Sequence, residues 1–174
     1  MPGNSKDIRK SRFITLLSCV IWFVGFYAFA GVMYFSGLRV NVTSSLPQTF
    51  WIVSEIDEIE EINSGDYVVV NPHEIDSSDF SPSVQQRYFG DRWLFIKQIG
   101  GVPGNVVQES CDVVVFSVDS EGNALPKSRL PVYLNDNEYW LVSDKERGFD
   151  SRYFGAVNRS VIKAKAFPLF KEDE

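Results

Sequence analysis

The chain of 174 residues has few of the side chains on which most hydrolases depend. It holds one histidine, His73, within the polar turn Asn71–Glu74, so a Ser/His/Asp triad or a His-ligated zinc site would have to include that residue. Its two cysteines, Cys19 and Cys111, lack the spacing of a metal site. Cys19 also lies in a long apolar run, so we expect no disulfide between them. Whatever chemistry the chain performs is therefore expected to avoid histidine.

Positive charge is also scarce. Lys and Arg number 17 against 23 Asp and Glu, which gives a net charge of −6 and argues against a sequence-independent nucleic-acid binder. Hydrophobic residues make up 44% of the chain and aromatic residues 14%, enough for a packed core. Together with the length, this composition indicates one domain with a short appendage.

One long apolar run is present. Residues 13–35 carry no charge, and a helix of that length spans roughly 35 Å, enough to cross a bilayer. Ala28-Phe29-Ala30 fits the cleavage site of a signal peptide, but the run is longer than the usual apolar region of about 7 to 15 residues. We therefore favour a retained anchor. The positive-inside rule then predicts a cytoplasmic basic tail at 1–12, a transmembrane helix at 13–35, and an extracytoplasmic domain at 36–174, facing the periplasm or the cell exterior.

After this run the sequence changes to short segments rich in Val, Ile, Phe, Trp and Tyr, each bounded by Gly, Pro, Asn, Asp or Ser. Seven segments predict strands: Gln48–Ser54, Asp66–Val70, Trp93–Ile99, Val106–Gln108, Val113–Val118, Val132–Leu134 and Tyr139–Val142. Ser, Asp and Pro cluster in residues 73–90, which we expect to form a loop or a helical excursion. The pattern predicts a mainly β, antiparallel sheet domain preceded by one N-terminal transmembrane helix.

Lys97 interrupts one of the most apolar predicted strands. It shares a strand face with Phe95 and Ile99, so the period-two rule places it on the buried side. Burial lowers the pKa of an ammonium group from about 10.4, and a neutral lysine is a plausible general base. The alternative is an edge-strand lysine whose charged head reaches water.

Two other segments carry candidate chemistry. Ser45 lies in the polar stretch Asn41–Pro47, close to the apolar run, and by itself this stretch reads as a linker stiffened by proline. Asp150 and Arg152 stand beside aromatic residues, where the simplest interpretation is a surface ion pair. A serine hydroxyl becomes an effective nucleophile when a neighbouring base takes its proton, and a neutral lysine does this without histidine. Ser45 and Lys97 together supply what a Ser/Lys hydrolase needs.

These segments resemble the successive boxes of type I signal peptidases, and still more closely those of the TraF-type branch, the conjugative-transfer peptidases that mature pilin subunits. The resemblance runs from residue 37 to about residue 163. The matching stretches are Gly37–Asn41 with Ser45-Leu46-Pro47, Lys97 with Ile99–Gly104, Ser143-Asp144, and Asp150–Gly155.

The resemblance implies a role for each matching residue. Ser45 would be the nucleophile and Lys97 the general base. The backbone N–H of Ser45 and the hydroxyl of Thr43 would donate to the oxyanion. Asp150 and Arg152 would support the active-site strand and turn, and the Ser/Lys mechanism requires neither a metal ion nor an organic cofactor.

One ambiguity and one departure from the family pattern leave alternatives open. Ser44 is adjacent to Ser45, although the spacing to the following proline favours Ser45. Classical signal peptidases carry a serine that bonds to the lysine two residues before the matching Asp, where this chain has Gly148. Another group must orient the lysine, and Ser143 and Ser151 are the candidates.

The implied function is a membrane-anchored serine endopeptidase that removes signal, leader or terminal segments from exported preproteins. In this branch the substrate would be a pilin precursor, with small residues before the scissile bond and either hydrolysis or cyclisation as the outcome. The expected partners are the preprotein and membrane lipid, and not nucleic acid. Phe50 and Trp51, beside the serine, would help the domain enter the membrane interface, although a place in the core is expected for at least one of them. The competing hypothesis is a non-catalytic membrane-anchored β domain that assists assembly of a secretion or conjugation complex. It predicts a protonated Lys97 and a dispensable Ser45.

Overall fold

The structure is a computed structural model that describes residues 5–40, 50–57, 60–90, 94–108, 115–144 and 148–170. The chain divides into two compact units, Met1–Leu38 and Arg39–Glu174. Helix α1, Ser5–Phe35, makes up most of the first unit, and within it Arg12–Phe35 is long and apolar enough to cross a membrane. No part of this apolar span is buried within the protein. A helix that is apolar on all faces requires an apolar environment, and a bilayer provides one.

Among the described residues, the second unit is built around a sheet of seven strands and a separate pair of strands. The strands are β1 (Leu38–Val40), β2 (Phe50–Glu55), β3 (Tyr67–Val70), β4 (Phe95–Gly101), β5 (Val106–Val107), β6 (Val132–Tyr133), β7 (Glu138–Val142), β8 (Val157–Asn158) and β9 (Ile162–Pro168). Their order in the large sheet is β1-β2-β9-β3-β4-β7-β8, and β5 pairs with β6. The pairs β2/β9, β9/β3, β3/β4, β4/β7 and β7/β8 are all antiparallel. The predicted mainly β antiparallel fold is confirmed.

The short helices lie between the strands. They are α2 (Pro82–Tyr88), α3 (Ser151–Phe154) and two 3₁₀ helices, Pro72–Glu74 and Arg159–Val161. The first 3₁₀ helix and α2 confirm the helical excursion predicted for residues 73–90. Asn71 caps the first 3₁₀ helix by accepting a hydrogen bond from the backbone N–H of His73. The only histidine thus lies in an exposed capped turn.

Six of the seven predicted strand segments contain a strand. The exception is Val113–Val118, whose described part, 115–118, forms only a single bridge between Val118 and Ala124. Strands β1, β8 and β9 were not predicted. In β9, lysines alternate with alanines, which are poor strand formers, so the pattern gave little strand signal. The structure buries Ala164 and Ala166 on one face of the sheet.

Both faces of the sheet are packed. The larger core surrounds the face that includes Val68, Ile99 and Leu141, and the aromatic residues of α2 and α3 contribute to it. The smaller core lies on the opposite face, around Trp51 and Val69. Of the two aromatics expected near the membrane interface, Trp51 is therefore a core residue, whereas its neighbour Phe50 is 40% exposed.

Candidate active site

Lys97 lies in the middle of β4, and only 2% of its surface is exposed. Strand β4 runs between β3 and β7, so neighbouring strands cover Lys97 on both sides. Its register partner on β3 is Val68, which is fully buried, and Ile99 on the same face of β4 is 1% exposed. The burial predicted from the period-two pattern is confirmed, and the edge-strand alternative is excluded because β4 is an interior strand.

The side chain of Lys97 meets a hydroxyl on the neighbouring strand. Gln98 pairs with Val142 in the β4/β7 register, and one further step along both strands brings Lys97 opposite Ser143. Because cross-strand partners point to the same face, the two side chains approach each other. The Nζ atom of Lys97 donates a hydrogen bond to Ser143 Oγ at 2.6 Å.

A glycine allows β4 and β7 to lie this close. The register of the two strands shifts between Ile99 and Gly101, as a bulge does. A Cβ atom at Gly100 would lie 2.7 Å from Cγ1 of Val142, closer than side chains can pack. The Gly-Gly pair that follows Lys97 in the sequence therefore fixes how β7 lies against the lysine strand.

Asp150 and Arg152 form a buried ion pair. Asp150 is fully buried, and its Oδ2 lies 2.7 Å from Nη2 of Arg152. Arg152 also donates from Nε to Oδ1 at 2.7 Å, so the contact is bidentate, and its backbone N–H donates to the same Oδ1 as the cap of α3. The interpretation as a surface ion pair is wrong. The ring of Phe149, the residue before Asp150, packs against Phe80, Tyr88 and Phe89, which are distant in the sequence, so the local sequence does not reveal that this segment lies in the core.

The ion pair connects to Lys97 through Ser143. The backbone N–H of Ser143 donates to Asp150 Oδ2 at 2.9 Å. Of the two serines proposed to orient the lysine, Ser143 makes the contact. The hydroxyl of Ser151 instead accepts a hydrogen bond from the backbone N–H of Leu141 and ties α3 to β7.

Burial dominates the electrostatics of Lys97. Removal from water lowers its pKa from 10.5 to about 8. The carboxylates of Asp150 and Asp144 act in the opposite direction, and the guanidinium of Arg152 acts in the same direction as burial. Lys97 is thus far more readily deprotonated near neutral pH than an exposed lysine is.

The structure brings together four of the residues singled out in the sequence: Lys97, Ser143, Asp150 and Arg152. Ser45, its neighbour Ser44 and Thr43 lie outside the described residues, so their roles stay predictions. Asp144, next to Ser143, accepts a hydrogen bond from the hydroxyl of Tyr67 at 3.3 Å. The described part of the chain contains no group of three or more His, Cys, Asp or Glu residues that would hold a metal ion.

Comparisons with known proteins point in one direction. The family model for signal peptidases, peptidase S26, matches residues 11–130. A plasmid transfer protein TraF from Escherichia coli is 29% identical over 152 residues, covering 76% of this chain and 82% of the relative. The conjugal transfer protein TraF of Agrobacterium fabrum is 28% identical over 162 residues, covering 79% and 84%. A probable signal peptidase I-2 of Synechocystis is 26% identical over 163 residues, covering 90% and 70%.

Proposed function

We propose that this chain, which belongs to the TraF-like branch of the peptidase S26 family of signal peptidases, is a membrane-anchored serine endopeptidase with Ser45 as nucleophile and Lys97 as general base. The observation that carries the proposal is the state of Lys97. It is buried in an interior strand, its pKa is lowered to about 8, and the hydrogen-bond partner of its Nζ among the described residues is a hydroxyl rather than a carboxylate. A buried lysine without a bonded carboxylate is poorly suited to a purely structural role, because an apolar side chain would fill the same space without desolvating a charge.

The proposed mechanism proceeds through an acyl-enzyme. Neutral Lys97 takes the proton of the Ser45 hydroxyl while Oγ attacks the carbonyl carbon of the scissile peptide bond. The backbone N–H of Ser45 and the Thr43 hydroxyl stabilise the oxyanion. The lysine ammonium then donates its proton to the departing amine, which leaves an ester on Ser45 and a neutral lysine. The same base activates the water, or a substrate amine, that breaks the ester.

The substrate we propose is an exported, membrane-tethered precursor, specifically a pilin subunit in conjugative transfer. Two features support this. The relatives named TraF are plasmid or conjugal transfer proteins, and α1 supplies a span long enough for a membrane anchor. Enzyme and substrate that share a membrane meet at a high effective concentration. We further propose that the domain lies on the extracytoplasmic side and prefers small residues before the scissile bond.

The direct test is cleavage of a membrane-anchored pilin-like precursor with Ala-x-Ala before the scissile bond, using the full chain in detergent or lipid. Cleavage by the native chain that is lost in Ser45→Ala and in Lys97→Met, with both variants folded by circular dichroism, is the expected result. Ser44→Ala serves as the matched control and should retain activity. Cleavage that persists in Ser45→Ala would place the nucleophile elsewhere, and a native chain inactive on all such precursors would favour the assembly role.

The same reaction separates hydrolysis from cyclisation. A cyclised product is lighter by one water than the linear product of the same length and has no free amino terminus. Intact-mass measurement with amine labelling of the purified product therefore decides whether water or the substrate's own amine breaks the acyl-enzyme.

A further inference from the structure

We infer that Ser143 is a positioning residue that fixes the side chain of Lys97 for proton transfer. The inference rests on the proposed function of Lys97 and adds to it. It is carried by the short hydrogen bond between Lys97 Nζ and Ser143 Oγ.

A lysine needs this help because of its length. Its side chain has four rotatable bonds, and fixing it in one geometry costs conformational entropy. The Nζ atom of Lys97 lies over the ring of Phe95, 5.4 Å from the ring centroid. A ring contact restricts where the amine lies but leaves its N–H groups and lone pair free to turn, so a directional bond is needed to orient them.

The hydrogen bond to Ser143 leaves the reactive part of the amine available. A neutral primary amine has two N–H groups and one lone pair. For Lys97 to act as the base, its neutral Nζ must keep donating an N–H to Ser143 Oγ, the partner it has at 2.6 Å, so that the lone pair is directed away from Ser143. It can then accept a proton from a hydroxyl on another side. This is the arrangement that a general base requires before substrate binds.

Ser143 is itself held in place. Its backbone N–H donates to Asp150 Oδ2, and that carboxylate is clamped by Arg152. Val142, the preceding residue, packs against Gly100 of β4, which sets the spacing of the two strands. The ion pair therefore supports the lysine indirectly, by fixing the residue whose hydroxyl binds it.

Gly148, two residues before Asp150, supports the ion pair. Gly148 is buried, and its carbonyl accepts a hydrogen bond from Nη2 of Arg152 at 3.0 Å. It contributes to the ion pair instead of to the lysine.

The test uses the full chain, the precursor assay described above and four variants at one position. Ser143→Ala should lower kcat by roughly 10²-fold with KM nearly unchanged, because a misplaced base slows the chemical step. Ser143→Thr and Ser143→Val have the same shape and differ in the hydroxyl, so the Thr variant should exceed the Val variant in kcat by about tenfold or more. Ser143→Cys, whose thiol is a weak hydrogen-bonding partner, should fall between Ala and Thr. Thermal unfolding of each variant checks the fold.

A pH profile separates positioning from other roles. The loss in Ser143→Ala should persist at about pH 10, where Lys97 is neutral in any case, because misplacement rather than protonation is the defect. Full recovery at high pH, or equal activity of the Thr and Val variants, would overturn the inference. Mapping the acyl-enzyme formed with a peptide ester should place the acyl group on Ser45 in the native chain and in Ser143→Ala. An acyl group on Ser143 would make it the nucleophile and would likewise overturn the inference. The proposed function fails separately, if Lys97→Met retains cleavage.

Discussion

Two lysines flank the same residue of the central sheet and have opposite properties. Lys97 of β4 and Lys165 of β9 are both register partners of Val68 on β3, one on each side. Cross-strand partners share a face, so the two lysines stand in one row of the sheet. The pKa of Lys97 is lowered to about 8, whereas the pKa of Lys165 is raised above 10.5.

The difference comes from what surrounds each ammonium group. Burial by itself would lower the pKa of Lys165, but Asp66 at 3.1 Å and Glu60 at 3.3 Å bind its Nζ and raise the pKa instead. Lys97 is more deeply buried, and its Nζ bonds to the Ser143 hydroxyl, which carries no charge to offset the loss of water. The same residue type in the same row is thus a structural cation in one place and a candidate base in the other.

The largest expected effect is the loss of activity on removing one of the two amines. Lys97→Met should lower kcat/KM by roughly 10³-fold, since it removes the general base. Lys165→Met, the matched control, should stay within about threefold of the native chain because its ion pairs are partly exposed. Cleavage of the precursor measures both variants. Equal losses would mean that activity falls because the sheet is disturbed and not because a general base is removed.

The carboxylate of Asp150 also affects the pKa of Lys97. Asp150→Asn removes the partner of a buried Arg152 and should lower the free energy of unfolding by about 3 to 5 kcal/mol. In the native chain, kcat/KM should rise with pH as Lys97 loses its proton, which gives the acid limb of the pH–rate profile. Because Asp150 raises the pKa of Lys97, this acid limb should move to lower pH in Asp150→Asn. Denaturant unfolding and a pH–rate profile measure the two effects. An acid limb that moved to higher pH would contradict the electrostatic account of Lys97.

A carboxylate partner for Lys97 should raise its pKa, as Asp66 and Glu60 raise the pKa of Lys165. Ser143→Asp places a negative charge beside Nζ and should raise the pKa of Lys97 by about 1 to 3 units, so that kcat/KM at neutral pH falls about tenfold for each unit. Ser143→Asn is the control, since it has the same shape, no charge and no hydroxyl. The pair is compared by pH–rate profile. If the acid limbs of kcat/KM lay at the same pH in the Asp and Asn variants, the protonation of Lys97 would not be the cause of that limb.

Stability should respond to pH in opposite ways at the two lysines. The folded pKa of Lys97 lies below its unfolded value, so between about 8 and 10.5 the unfolded chain binds more protons and the free energy of unfolding rises with pH. Below pH 8 both states are protonated and the full penalty of burying the charge remains. Lys97→Met should therefore be more stable than the native chain at neutral pH, by about 1 to 3 kcal/mol, and this gain should shrink as the pH rises from about 8 to 10.5.

The smallest effect is expected for Lys165→Met, which should destabilise by no more than about 1 kcal/mol at neutral pH, as partly exposed ion pairs do. Its folded pKa lies above the unfolded value, so the contribution of Lys165 is present at neutral pH and is lost as pH rises through that folded pKa. Chemical denaturation of the native chain and the two lysine variants from pH 7 to 11 measures whether each substitution raises or lowers the free energy of unfolding. A stabilising Lys165→Met would contradict this account.

Much of this arrangement is predictable from the sequence, and the limits have physical causes. Alternation along β4 placed Lys97 inside, because Phe95 and Ile99 flank it at period two. The contact with Ser143 depends on the β4/β7 register, which a bulge at Gly100 adjusts, and a bulge leaves no clear signal in one sequence. Asp150 follows Phe149, whose ring packs against residues distant in the chain, Phe80, Tyr88 and Phe89, so the local sequence predicted a surface pair instead.

The central claim is that Lys97 is a readily deprotonated amine inside the folded domain. The most direct measurement is NMR titration of the full chain in micelles with ¹³C-labelled lysine ε-carbons, with Lys97 and Lys165 assigned from their Met variants. We expect Lys97 to titrate at a pKa of about 8 and Lys165 to titrate at a pKa raised above 10.5 in the same spectra. Two lysines that titrate together near 10.4, the value of a free lysine, would contradict it.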